Sequence, residues 1–91
     1  MRYLLFPSVQ KKQELPEDWP FMEQSEEVLK NLPATWKTYP DDEKGRMGII
    51  TMEFNELQKA ATPDAKMHEL VHLASACLHL WRLYHDAAEQ S

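Results

Sequence analysis

Two pairs of potential metal ligands, each spaced by one helical turn, lie in this 91-residue sequence. Glu53 and Glu56 form an ExxE pair, and after twelve residues Glu69 and His72 form an ExxH pair. Because residues three or four apart share one face of a helix, each pair can point at one ion. Carboxylate oxygens suit Mg²⁺, and two such pairs facing each other would leave room for triphosphate oxygens. The pattern favours phosphoryl chemistry. The alternative is that these glutamates are ordinary solvated residues of a helix surface.

The second pair overlaps another motif, because residues 68–72 read HELVH. On a helix, His68 and His72 could share a zinc ion while Glu69 activates a water molecule, as in zinc peptidases. Such an enzyme also needs a third ligand and a sheet that walls its cleft. His79 lies about 10 Å further along the same helix, too far to share the ion. A zinc peptidase is therefore the third hypothesis, and His68 and His79 are interpreted as a polar helix face.

Periodicity and end signals place these residues on helices. We predict three helices, over residues 22–31, 42–61 and 63–88, with a loop over residues 32–40 between the first two. Thr62 is the predicted N-cap of the third helix, with Pro63 at its first position. The short link makes the second and third helices antiparallel neighbours, so that the two ligand pairs can face each other.

The two longer helices carry apolar faces that predict how they pack. In the second helix, Glu53 and Glu56 lie beside a stripe that comprises Met47, Ile50, Phe54, Leu57 and Ala61. In the third helix, one broad face comprises Leu70, Leu73, Ala74, Cys77, Leu80, Trp81 and Tyr84. Its narrow polar sector holds His68, His72, Ser75, His79 and Arg82. Three short helices cannot cover so apolar a helix, so we predict a bundle completed by a second copy of the chain.

Composition excludes several classes of partner. A formal charge of -5, from 15 acidic and 10 basic residues, argues against nucleic acid. No segment has the length needed to span a bilayer, so no membrane is expected. The single cysteine, Cys77, fits a reducing compartment, which favours the cytoplasm. Only two glycines occur, so no Gly-rich loop is present to hold phosphates, and a nucleotide site must use side chains and metal.

The sequence MGIITMEFNELQKAA, followed by KMHELVHLASACLHLWRLY, resembles the catalytic helices of MazG-like nucleotide pyrophosphohydrolases, in particular the short all-α versions found in bacteriophages. The family pattern is EExxE, a spacer and then ExxD. The resemblance covers the chain from about Trp36 onward. It implies an all-α helical domain, here residues 21–91, which forms a homodimer or homotetramer. Residues 1–20, broken by Pro7 and Pro16, are predicted to form an irregular N-terminal arm.

The resemblance also implies an activity, the hydrolysis of a nucleoside triphosphate to NMP and pyrophosphate with Mg²⁺ or Mn²⁺ as cofactor. It makes Glu53, Glu56 and Glu69 catalytic residues, and these three together with His72 the metal ligands. Two positions depart from the family pattern. Met52 replaces its leading glutamate, and His72 replaces an aspartate with an imidazole that suits Mn²⁺ or Zn²⁺ better than Mg²⁺. The second hypothesis is therefore a catalytically weakened module that binds a nucleotide or a protein partner.

Other candidate residues have structural interpretations. Trp36 and Tyr39, in the predicted loop, could stack on a nucleobase or cover an edge of the core. Trp81 and Tyr84 are predicted to be core or dimer contacts. Cys77 is predicted to be buried and inert.

Overall fold

The computed structural model describes residues 19–90, which form one all-α unit. The elements are α1 (Trp19–Lys30), a 3₁₀ helix (Ala34–Thr38), α2 (Glu43–Lys59) and α3 (Pro63–Glu89), and no strand occurs within this range. The all-α prediction is confirmed. Over the same residues, no helix combines the length and the low polarity that a transmembrane span requires.

The first helix begins earlier than predicted. α1 starts at Trp19, inside the predicted arm, and most of that arm (residues 1–18) lies outside the described residues. Pro20 does not interrupt α1, because it occupies the first turn, where a missing N–H removes no helical hydrogen bond. The helix ends at Lys30, one residue before the predicted end.

Local signals fix the ends of the two longer helices. Asp42 caps α2 by accepting a hydrogen bond from the Gly45 N–H at 2.8 Å. Thr62 caps α3 by accepting from the Ala65 N–H at 3.1 Å, and Pro63 is the first helical residue, as predicted. α2 ends at Lys59, two residues before the predicted end, so that residues 60–62 form the link to α3.

Contacts between α2 and α3 run in opposite chain order, as antiparallel helices require. Going forward along α2, Arg46, Ile49 and Glu53 meet residues that go backward along α3, from His79 through Ala76 to His72. The predicted antiparallel arrangement of these helices is therefore observed. It brings Glu53 of α2 beside His72 in the first half of α3.

The segment predicted as a loop carries the largest side chain of the core. Its 3₁₀ helix places Trp36, 2% exposed, against Ile49 of α2 and Ala76 of α3. A Cβ added at Gly45 would lie 1.7 Å from the Pro40 carbonyl oxygen, so the start of α2 passes directly against the loop backbone. Only a residue without a side chain fits there.

The buried face of α2 is not the predicted stripe. Gly45, Ile49 and Glu53, four residues apart, are the buried residues of this helix, whereas Met47 and Phe54 are 47% and 48% exposed. Trp36 accounts for this choice of face, since burying its indole against Ile49 removes a large apolar surface from water, and its N–H donates to Glu53 on the same face.

The packed face of α3 differs in part from the one predicted. Ser75 and Ala76 are fully buried, with Val71 and Leu80 each 8% exposed, and of these four only Leu80 belongs to the predicted apolar face. The predicted apolar face is largely open to solvent in the single chain, where its exposed members are Leu70, Cys77, Trp81 and Tyr84. The prediction that Cys77 is buried is wrong for the single chain.

Hydrogen bonds explain why a polar sector can be buried. The Ser75 hydroxyl lies 2.9 Å from the Ser25 carbonyl of α1 and 2.7 Å from the Val71 carbonyl of its own helix, so its donor is satisfied without water. Small side chains at Ser25, Ser75 and Ala76 let the backbones of α1 and α3 approach closely. Ser75, a member of the predicted polar sector, therefore lies in the interface between α1 and α3.

Two arginines form hydrogen bonds that link the second half of α3 to α2 and to α1. Arg46 donates from Nε to Asp41 at 2.7 Å and from Nη1 to the His79 carbonyl, and its hydrogen bond holds the pKa of Asp41 below the ordinary value. Arg82 lies 3.0 Å from both carboxylate oxygens of Glu26 in α1. Each arginine thus ties α3 to another part of the chain.

Candidate metal-binding site

Three of the four predicted ligands converge where α2 faces α3. One oxygen each of Glu53 and Glu69 and one ring nitrogen of His72 all lie within 4.8 Å of one another. Two ligands of a single ion bound at about 2.1 Å can be at most about 4.2 Å apart. Small side-chain rotations would close the observed group to that spacing. The set therefore fits one divalent cation.

Glu53 is the most constrained member of the group. Its side chain is 3% exposed, and its Oε2 accepts a hydrogen bond from Trp36 Nε1 at 2.7 Å. Its Oε1 lies 3.7 Å from His72 Nδ1, which is longer than a hydrogen bond. A buried carboxylate needs hydrogen bonds or a positive charge. One oxygen thus has a protein donor, and the other is directed toward the remaining ligands.

His72, a member of the group, also contacts a second imidazole. The ring of His68 packs against it with a centroid distance of 4.4 Å and an angle of 49° between the planes. His68 itself is exposed and does not belong to the convergent group. The cluster thus combines Glu69 and His72 with Glu53 of α2. It does not use the two histidines of HExxH, and residues 19–90 contain no sheet to form a peptidase cleft.

Glu56, the fourth predicted ligand, lies apart from the group. It is exposed and lines a shallow groove of about 420 Å³. The other lining residues are Tyr39, Gly48, Thr51, Met52, Asn55 and Lys59. Met52 also packs against the core cluster, so the position where the family pattern has a glutamate here contributes apolar contact.

The residue that sequence reasoning did not connect to the site is Trp36. The structure shows that it covers the core, one of its two interpretations, and also that its N–H holds Glu53. Two signals could have indicated this pairing. A buried tryptophan requires an acceptor for its N–H, and Glu53 continues the four-residue register of Gly45 and Ile49.

Comparisons of the chain with protein-family models, with curated proteins and with solved structures find no match.

Proposed function

We propose that the protein is a metal-dependent hydrolase that converts a nucleoside triphosphate to NMP and pyrophosphate. The observation that carries this proposal is the convergence of Glu53, Glu69 and His72 within 4.8 Å on two antiparallel helices. The resemblance of α2 and α3 to the catalytic helices of MazG-like enzymes supplies the substrate class. The reaction adds water to the α-phosphorus and breaks its bond to the bridging oxygen of the β-phosphate.

The acidic chain needs a cation for this substrate. Its formal charge of -5 repels a triphosphate. A bound Mg²⁺ or Mn²⁺ would offset that repulsion and make the attacking water more acidic. In the proposal, Glu53, Glu69 and His72 would hold the cation. Glu56, one turn beyond Glu53 with an exposed carboxylate, would serve as the base for a water that attacks from the groove side.

A second copy of the chain completes the bundle in this proposal. The single chain leaves large apolar side chains along one face of α3 in contact with solvent, with Met67 64%, Leu70 43%, Trp81 55% and Tyr84 47% exposed. Contiguous apolar surface of this kind is typical of protein interfaces. A homodimer or homotetramer would cover it.

The decisive experiment is to measure pyrophosphate release from a panel of NTPs and dNTPs with Mg²⁺ or Mn²⁺. Turnover should require the metal, and Glu53→Gln and Glu69→Gln should each lower it by about a hundredfold. Glu27→Gln is the matched control, because Glu27 is exposed on α1 and pairs with Lys30. Circular dichroism shows whether each variant is folded. Full turnover in folded Glu53→Gln and Glu69→Gln variants would refute the site.

The second candidate is a helical module that has lost catalysis and binds a nucleotide or a protein. The observation that favours it is that Glu53 already has a structural partner in Trp36, while Met52 belongs to the core. Replacing His72 by aspartate separates the two candidates. If the wild-type chain releases no pyrophosphate but His72→Asp gains Mg²⁺-dependent release, the chain is a decayed enzyme that retains the scaffold.

A further inference from the structure

We propose that the group formed by Glu53, Glu69 and His72 selects a first-row transition ion of the Mn²⁺ type over Mg²⁺, and that Trp36 is a positioning residue that orients Glu53 in this group. The inference rests on the metal site of the proposed function and specifies which ion that site prefers. It concerns binding alone, so it can be tested in the absence of any nucleotide.

The donor atoms of the group argue for this preference. The group offers two carboxylate oxygens and one imidazole nitrogen. Mg²⁺ is a small hard cation that takes oxygen ligands and keeps several waters when the protein supplies few. An imidazole nitrogen adds affinity for transition ions, whereas it is a poor ligand for Mg²⁺. The nitrogen of His72 therefore discriminates between the two kinds of ion.

Trp36 fixes the orientation of Glu53. Its N–H donates to Glu53 Oε2 at 2.7 Å, while the other oxygen, Oε1, lies 3.7 Å from His72 Nδ1. An oxygen that accepts one hydrogen bond keeps a second lone pair for an ion, so this contact orients the carboxylate without removing a ligand atom. Since Glu56 lies outside the group, the group offers the carboxylates of Glu53 and Glu69 together with the nitrogen of His72.

The environment of Glu53 independently points to a cation. The side chain is 3% exposed, yet within residues 19–90 its Oε1 accepts no hydrogen bond and lies 3.7 Å from His72 Nδ1. A buried oxygen without a donor is costly unless a positive charge approaches it. The His68 ring, packed on His72 at 4.4 Å, limits how the imidazole can turn away from that position.

The test is a titration of the full chain with Mn²⁺, in which electron paramagnetic resonance reports the free ion and Mg²⁺ is added as competitor. We expect one Mn²⁺ per chain and displacement only at Mg²⁺ concentrations at least about tenfold higher. The His72→Asp variant should reduce this preference by about tenfold. His85→Asp introduces the same charge at an exposed site near the end of α3 and should leave the preference unchanged.

A variant at Trp36 tests its part separately. Trp36→Phe keeps an aromatic ring in the core but removes the N–H that orients Glu53. We expect the folded variant to bind Mn²⁺ about tenfold more weakly, because a ligand that loses its outer hydrogen-bond partner binds metal less well. An unchanged Mn²⁺ affinity in the folded variant would reject the positioning role of Trp36. If this core substitution prevents folding, the His72→Asp result decides on the proposal.

Three results would overturn the inference. Equal or tighter binding of Mg²⁺ rejects the selectivity, even if pyrophosphate release establishes the proposed function. An unchanged preference in folded His72→Asp rejects the role of the imidazole. Mn²⁺ binding that is not stoichiometric and survives both His72→Asp and Glu53→Gln indicates an adventitious ion only. Conversely, selective Mn²⁺ binding without any nucleotide turnover supports the inference and counts against the proposed function.

Discussion

The two faces of α3 differ in what covers them. One face carries Ser75, His79 and Arg82 and contacts α1 and α2, whereas the other exposes Leu70 and Trp81. In a chain this short, close approach and satisfied hydrogen bonds decide which face the other helices cover. The large apolar side chains remain available for association with another chain.

The largest effect on stability is expected at Gly45, where α2 passes against the loop that carries Trp36. Gly45→Ala would place a Cβ 1.7 Å from the Pro40 carbonyl oxygen, so the loop that carries Trp36 must move away from α2. We expect a loss of about 3 kcal/mol in the free energy of unfolding. Urea denaturation followed by circular dichroism measures it.

Gly48→Ala is the matched control on the same helix. Its added Cβ would meet only the Tyr39 ring, at 3.1 Å, and a side chain can yield where backbone cannot. The helix propensity gained on replacing glycine, about 1 kcal/mol, should offset that contact. If both variants lose the same stability, the close approach at Gly45 is not what positions the loop.

The next largest effect on stability is expected from a pair of substitutions, one on each face of α3. Ser75→Leu adds apolar bulk to the fully buried interface with α1, so it should destabilise the chain by about 2 kcal/mol despite its greater hydrophobicity. Trp81→Gln removes apolar surface from the exposed face and should change the stability of the single chain by about 0.5 kcal/mol or less. Thermal unfolding of both variants at low protein concentration makes the comparison.

Trp81→Gln also tests whether a second copy of the chain binds to the exposed face of α3. If a partner chain covers Trp81, the wild-type melting temperature rises with protein concentration, and Trp81→Gln removes that dependence. Light scattering should show the corresponding loss of mass. A wild-type chain that stays monomeric at high concentration would contradict the predicted assembly.

A smaller effect should appear as a pH dependence of the stability, caused by His79 on the packed face. Burial, followed by the positive charge of Arg46, lowers the pKa of His79, whose ring lies 5.6 Å from that of Trp36. Because the folded chain then binds the proton less readily than the unfolded chain, His79 contributes stability above its unfolded pKa of about 6.5. This contribution is lost progressively as the pH falls below that value.

Melting temperatures recorded between pH 7.5 and 5 check this expectation, with His79→Gln as the variant. The decline toward acid should be shallower in His79→Gln. His85→Gln is its control, because His85 is exposed and has acidic neighbours, Asp86 and Glu89. An equal effect of the two substitutions would argue against the buried position as the cause.

The smallest effect on stability is expected from breaking the Arg82–Glu26 ion pair at the edge of the packed face. Arg82 and Glu26 are 43% and 52% exposed, so Arg82→Gln should cost about 0.5 kcal/mol. Raising the salt concentration should shrink the difference, since salt screens exposed charges. A salt-independent loss would instead indicate that packing of the arginine side chain matters.

The helix ends of α2 and α3 could be predicted because their signals are local. Thr62 and Pro63 mark the start of α3 within two adjacent residues, and Asp42 caps α2 through its own side chain. The packed faces could not be read in this way. Apolar periodicity identifies a stripe on a helix but not the residues that pack against it. The buried face of α2 is the one that Trp36 contacts, and Trp36 lies 17 residues before Glu53.

Three of the four predicted ligands meet because the antiparallel hairpin requires it. Glu56, about 60° around the helix axis from Glu53, is exposed and does not join them, although Glu69 and His72 have the same spacing and both do. That angle separates a buried position from an exposed one. The sequence pattern ExxE indicates a shared flank of the helix but not which of its members the neighbouring helix covers.

The short link at residues 60–62 has a consequence for the order of folding. Because it joins two helices that contact each other, the α2–α3 hairpin closes a small loop and loses little chain entropy. Such local contacts form early, whereas α1 must dock across a longer stretch of chain. We therefore expect Glu53, Glu69 and His72 to come together in the first folded unit, before the Ser25–Ser75 contact is made.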